Sequence, residues 1–234
     1  MRLDPPISVL KVLATLAVVI TLPIGCSESA SSDRVGTPAM SSESTHVLSE
    51  YIDRHEGDLI SALQDAALQH KGGSFRLDDK GALVKLALMD ISVSAAELKQ
   101  IAAQHSLRSL YITNGHINDS ALVHLATLSK LETLGLDSNP ISDLSISHIT
   151  SLRNLQKLDL RETQVSDAGV TEIFSLRNLR RLLLGGTNIS DQSTASLTNL
   201  SGLEELWIYD TKMTPAGVDS IRDALPDCRV RDEL

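Results

Sequence analysis

Leucine recurs at Leu83, Leu107, Leu131, Leu155, Leu179 and Leu203, an unbroken 24-residue period. Three places later stand Leu86, Leu110, Leu134, Leu158, Leu182 and Leu206, and two further on Leu88, Ile112, Leu136, Leu160, Leu184 and Ile208. A fourth column reads Val93, Ile117, Ile141, Val165, Ile189 and Met213, and a fifth Ile101, Leu125, Ile149, Ile173, Leu197 and Ile221. The segment L-x-x-L-x-L predicts a short strand whose second and third leucines share one side. Ser166-Asp167 then reads as a helix start, followed by Val170, Ile173, Phe174 and Leu176 at roughly helical spacing. One strand and one short helix cannot bury their own apolar side, so each copy must stack on its neighbours.

This pattern resembles the leucine-rich-repeat family, whose strand motif is L-x-x-L-x-L followed by a polar turn residue. Thr163, Thr187 and Thr211 in the turn, with S-D-A-G-V (Ser166–Val170) opening the helix, resemble the bacterial 24-residue type found in planctomycete-like secreted proteins. The resemblance covers residues 83–226 closely and 72–82 loosely. It implies an α/β solenoid: a horseshoe arc with a parallel concave β-sheet, convex helices, six repeats and a helical N-terminal cap.

The chain divides around that array. Residues 1–25 read as a signal peptide: Arg2 and Lys11 lie early, and the apolar run Val12–Leu22 is too short to span a bilayer. L-P-I-G-C (Leu22–Cys26) resembles a lipobox, which implies cleavage before Cys26 and its acylation; cleavage by ordinary signal peptidase is the alternative. Residues 26–45 form a Ser-rich tether with no apolar period, expected to be disordered. Residues 46–82 predict a helical and hairpin N-terminal cap, with Leu48, Tyr51, Ile52, Leu59 and Leu63 at helical spacing and a break near Gly57-Asp58. Gly72-Gly73 stops the helix, and 75–77 with 83–88 read as a strand pair. The register fails beyond Pro226, so residues 227–234 are assigned to a C-terminal cap and tail with Cys228 as a small buried hydrophobe. The terminal Arg231-Asp232-Glu233-Leu234 resembles an endoplasmic-reticulum retention signal, which keeps a lumenal location open as an alternative.

The formal net charge is −9. An acidic chain without a basic stripe argues against nucleic acid and against adsorption to an anionic bilayer. No nucleophile motif or phosphate loop stands out, and the segments above use the whole chain, so no enzyme activity and no cofactor are expected. His124 and His148 share a column, but two imidazoles make a weak zinc site. The register places helix N-caps at Asn118, Ser142, Ser166, Ser190 and Thr214, with a capping box from Ser94 to Glu97. Asp119, Asp143, Asp167 and Asp191 then meet the positive ends of helix dipoles. A calcium-binding ladder is the other reading of those carboxylates; capping is preferred and no metal is expected.

Function is sought where the copies differ. The third, fifth and seventh residues of each strand point away from the leucines. Tyr111, Asp159, Leu183 and Trp207 fall in the fifth column, and Arg161 and Tyr209 in the seventh. Leu183, Trp207 and Tyr209 should form an apolar patch edged by Arg161, Arg181 and Glu205, the kind of surface that anchors protein partners. The competing explanation is that the C-terminal tail packs over Trp207 and Tyr209. The expectation is a monomeric, non-enzymatic module, exported and anchored through Cys26 at the periplasm or cell surface. It would bind a protein or peptide on its concave face, with membrane contact only through the lipid and no nucleic acid. A passive envelope protein and a ubiquitin-ligase-type adaptor are the alternatives.

Overall fold

The computed structural model describes residues 46–63 and 73–233, all within one compact unit spanning residues 42–234. The signal segment 1–25, Cys26, the tether 26–45, residues 64–72 with the helix stop expected at Gly72, and Leu234 lie outside the described residues.

Ten strands are present among the described residues: β1 (His46–Val47), β2 (Ser74–Leu77), β3 (Leu83–Met89), β4 (Ile91–Ser92), β5 (Ser109–Thr113), β6 (Thr133–Gly135), β7 (Lys157–Asp159), β8 (Arg181–Leu183), β9 (Glu205–Trp207) and β10 (Arg229–Arg231). Eight of them form one sheet in the order β10-β9-β8-β7-β6-β5-β3-β2. From β3 to β10 every neighbour is parallel, and β2 pairs antiparallel with β3. The register follows the leucine period, with Leu86, Leu110, Leu134, Leu158, Leu182 and Leu206 facing one another across successive strands. Val230 continues the row in β10, so the strand register runs on past the point where the leucine pattern stops. β1 and β4 form a separate parallel pair.

The three leucine columns are at most 4% exposed throughout. Burying each such side chain is worth about 1.5–3 kcal/mol relative to leaving it in water. The helix column is fully buried beneath them. Phe75, Leu77 and Val230 pack partly buried against the same core.

Each strand ends in the same backbone turn. Asp90, Asn114, Ser138, Glu162, Gly186 and Asp210, spaced by the repeat, all take φ between 49° and 69°. This left-handed region suits Gly, Asn and Asp and is less favourable for Glu and Ser. After Ser138, Glu162 and Gly186 the next residue is buried and its side chain satisfies the turn. Asn139 accepts N–H bonds from Gly115 and Ile117, and donates to the carbonyls of Ile112 and Leu136. Thr163 and Thr187 donate their hydroxyls to the carbonyls of Leu160 and Leu184 at 2.6 Å.

The N-caps stand where the register put them, at Asn118, Ser142, Ser166, Ser190 and Thr214. The Ser94–Glu97 capping box is complete. The helices themselves are short, and residues 119–127 wind as a 3-10 rather than an α-helix. A 3-10 helix rises about 2.0 Å per residue, so nine residues reach roughly as far as twelve in an α-helix. A fixed repeat length favours that economy. Near the N-terminus, the helix Leu48–Arg54 stops at Glu56 and Gly57, both at positive φ. Asp58 then accepts the Ile60 N–H and the Ser61 hydroxyl as helical structure resumes at residue 59.

The aspartate column does more than meet helix dipoles. Asp119, Asp143, Asp167 and Asp191 each accept the backbone N–H and the hydroxyl of the next repeat's N-cap, Ser142, Ser166, Ser190 and Thr214. Each carboxylate therefore staples one repeat to the next.

Candidate recognition surface

The outward columns of the sheet carry most of the chain's irregularity. In the seventh column Tyr209 lies flat across Gly185 of the preceding repeat, where any Cβ would strike its ring. Tyr111 covers Gly135 in the same way on β6. A ring laid over a strand glycine shields backbone that has no side chain of its own. Lys157 completes the arrangement around Tyr111, its ammonium 5.2 Å from the ring centroid.

Asp159, Arg161, Leu183, Trp207 and Tyr209 are brought together as one cluster, and Tyr111 lies apart from it on β5. Arg161 grips Asp159 with two hydrogen bonds of 2.8 and 2.7 Å. The same guanidinium sits 5.4 Å from the Trp207 ring centroid, and Arg231 sits 4.9 Å from it. Trp207 is thus held by two arginines, and its indole N–H donates to Glu205 at 2.9 Å. The Trp207 and Tyr209 rings are 6.2 Å apart and tilted by 50°.

The expected open apolar patch is corrected in one respect. Leu183 is 4% exposed, Tyr209 8% and Asp159 2%. They point away from the leucine core, as alternation requires, but the flat rings and the Arg161 side chain cover them. Trp207 and Arg161 remain half-buried, and with Tyr111 they are the members of the set that solvent reaches. The C-terminal strand contributes to this cover, because Arg231 stands opposite Trp207 in the register.

Electrostatics tighten the cluster. The hydrogen bonds that Arg161 donates to Asp159 raise its pKa despite its burial, with Tyr209 adding to the effect. Asp137, which accepts the Thr113 hydroxyl at 3.0 Å, is pushed up by burial and by the nearby Asp159 charge. Cys228 is buried, and burial together with Glu205 pushes its thiol up to about 11. His124 and His148 stand on the opposite side of the repeats, and no group of three or more metal-ligating side chains converges among the described residues.

The third column forms a row across the strands in which Arg76 faces Lys85, then come Ser109, Thr133, Lys157 and Arg181. These cations are dispersed along the chain, so the expectation that no basic stripe exists holds in sequence and fails locally in space. The period alone aligns Lys85 with Lys157 and Arg181; only the β2–β3 register adds Arg76.

A leucine-rich-repeat family model matches residues 151–174. No curated protein matches the chain. Among solved structures, internalin C2 of Listeria monocytogenes is similar at 25% identity with a TM-score of 0.51, over 63% of this chain and 60% of that one. A leucine-rich-repeat protein of Leptospira interrogans is similar at 24% identity and a TM-score of 0.47, over 63% of this chain and 36% of that one. The leucine-rich-repeat ectodomain of a plant membrane receptor kinase from Arabidopsis thaliana, solved in complex with Casparian strip integrity factor 2, gives 18% identity and a TM-score of 0.46, over 68% and 19%. The chain thus spans 60% of the length of internalin C2 and 36% of that of the Leptospira protein. The matched repeat, the mostly parallel sheet with its helices and the likeness to internalin C2 support the leucine-rich-repeat family for this chain, an α/β fold that is generally a protein-interaction module.

Proposed function

We propose that this protein is a non-enzymatic recognition module that takes a protein or peptide on the outer, concave face of its sheet. The observation that carries this reading is Trp207, held half-exposed between Arg161 and Arg231 beside Tyr209. Tryptophan, tyrosine and arginine at a preorganised site are the residue types that dominate binding energy at protein interfaces. Holding the indole rigid before binding lowers the ordering entropy lost when a partner docks. The fold adds support of an associational kind, since leucine-rich-repeat proteins are typically protein-binding scaffolds. The test is an affinity measurement against a partner captured by crosslinking from the native envelope, comparing wild type with Trp207→Ala. Loss of at least tenfold in affinity is expected; unchanged binding sinks the assignment of this site.

The repeat module is of the bacterial 24-residue type in this proposal. It is monomeric, exported, and held at the periplasmic or outer surface of a membrane by acylated Cys26. The motif Leu22–Cys26 and the Ser-rich segment after it support this reading. No described helix is long and apolar enough to cross a membrane. Mass spectrometry of the mature N-terminus is the check: a diacylglyceryl mass on Cys26 is expected, and an unmodified terminus beyond it overturns the anchor.

A further inference from the structure

We infer that the third-column row Arg76, Lys85, Lys157 and Arg181 is a docking site for an acidic peptide lying across the strands. The inference deepens the recognition reading above and rests on it. In this row Arg76 stands directly opposite Lys85, and Lys157 directly opposite Arg181. Like charges at facing positions destabilise a sheet. The fold does little to offset them: among the described residues no carboxylate forms an ion pair with Arg76, Lys85 or Lys157. Arg181 reaches Glu205 only at 3.7 Å. In a chain of net charge −9, two facing cation pairs met by a single carboxylate, Glu205, are not a consequence of composition.

Between the two pairs the floor is made by Ser109 and Thr133, each able to donate a hydroxyl. A surface hollow of about 340 Å³ occupies this place; Arg76, Lys85, Lys157, Arg181 and Tyr111 line it, and Glu132 is the one carboxylate in its wall. Arg108 is already paired with Glu132 at 2.6 Å, so it shapes the wall more than it attracts. Lys85 and Lys157 are three strand steps apart, roughly 14 Å at about 4.8 Å per step. An extended peptide advances about 3.3 Å per residue, so carboxylates four residues apart match the inner cation of each pair, Lys85 and Lys157. Tyr111, lying flat beneath Lys157, offers an apolar wall for a side chain between them.

The surroundings favour a short acidic peptide over a long polyanion. The row meets Glu205 at β9, Glu132 stands in the wall of the hollow, and Asp137 lies two residues beyond the end of β6. A nucleic acid or sulfated glycan, charged at every unit, would overrun onto those carboxylates.

The experiment is fluorescence anisotropy of the full mature chain with a labelled ten-residue peptide. The peptide carries paired glutamates four residues apart on a Ser/Gly background; its all-glutamine counterpart is the control. Expected are saturable binding that weakens from 50 to 300 mM salt, at least tenfold loss in Lys85→Ala/Lys157→Ala, and no binding of the glutamine peptide. Equal binding by the double variant, or by the glutamine peptide, overturns the proposal. So does displacement by a sulfated oligosaccharide or a ten-nucleotide DNA at tenfold lower concentration than unlabelled peptide, which assigns the row to a polyanion. Thermal unfolding separates this from a structural role: removing Lys85 relieves a like-charge contact, so Tm should hold or rise, and a fall overturns the claim. Trp207→Ala should keep the peptide, so failure at Trp207 and failure of the basic row are read independently.

Discussion

The carboxylate of Asp143 accepts the backbone N–H of Ser166 at 2.8 Å and its hydroxyl at 2.5 Å, one repeat further on. The same carboxylate fills the space where a side chain at position 169 would begin, which is why Gly169 stands there. Gly217 stands in the same relation to Asp191. In the alternate repeats Ser145 and Ser193 occupy this column, and Ser193 donates its hydroxyl to Asp167. The aspartate, the next N-cap and the small residue are therefore one unit repeated along the stack.

That unit predicts non-additive mutations. Asp143→Ala removes two charge-assisted bonds and should cost about 1–3 kcal/mol. Gly169→Ala should cost about 1–3 kcal/mol because its Cβ meets the Asp143 carboxylate. The double variant should cost less than the sum, since removing the carboxylate frees the space. Urea-unfolding midpoints of the four proteins measure this; strict additivity would show that the residues act separately.

The staples also predict acid sensitivity. For Asp119 and Asp167 burial pushes the pKa up, but the hydroxyls and N–H groups of the next repeat outweigh it and hold both below the usual carboxylate value of 3.8. Carboxyls lowered in the folded state contribute stability that is present above the unfolded value and lost as pH falls through the folded value. Unfolding midpoints should therefore drop as pH falls below about 4. A flat profile from pH 5 to pH 2 contradicts the staples.

Asp137 has the opposite sign. Its raised pKa means that the stability from its protonated form fades as pH rises above 3.8 through the folded value. Asp137→Asn keeps an acceptor for the Thr113 hydroxyl and removes the repulsion from Asp159. It should stabilise at pH 7 by less than about 1 kcal/mol and give no gain at pH 3. Thermal melts at the two values decide it.

The chain has one tryptophan, so its fluorescence reports on the recognition surface alone. Arg231→Ala removes one of the two guanidinium contacts and should red-shift Trp207 with a stability change near 0.5–1 kcal/mol. Arg161→Ala should be worse, about 3–5 kcal/mol, because it leaves buried Asp159 without its counter-ion. Similar losses for both variants would mean that the Asp159 pairing contributes little.

The ladders were legible because a side chain every 24 residues on one side of a strand has a single physical explanation. The N-caps followed from the same register and from residue type. The staple was hidden, since an aspartate at a helix start is explained equally well by the dipole, and only coordinates show its bonds to the next repeat. The left-handed column is visible in hindsight through Asp90, Asn114, Gly186 and Asp210, although Ser138 and Glu162 mask it. At the surface, the direction of each outward residue was readable and its exposure was not. Exposure depends on whether a neighbour's ring lies flat, and that depends on Gly135 in β6 and Gly185 just beyond β8.

Recognition by the sheet's outer face is tested by quantitative crosslinking capture from native cells with three proteins. These are wild type, Trp207→Ala/Lys157→Ala on the outer face, and Leu144→Ser on the helical side, where Leu144 is 80% exposed. A partner retained by wild type and Leu144→Ser and depleted at least tenfold with the outer-face variant is expected. Equal capture by the outer-face variant, or loss confined to Leu144→Ser, would contradict it.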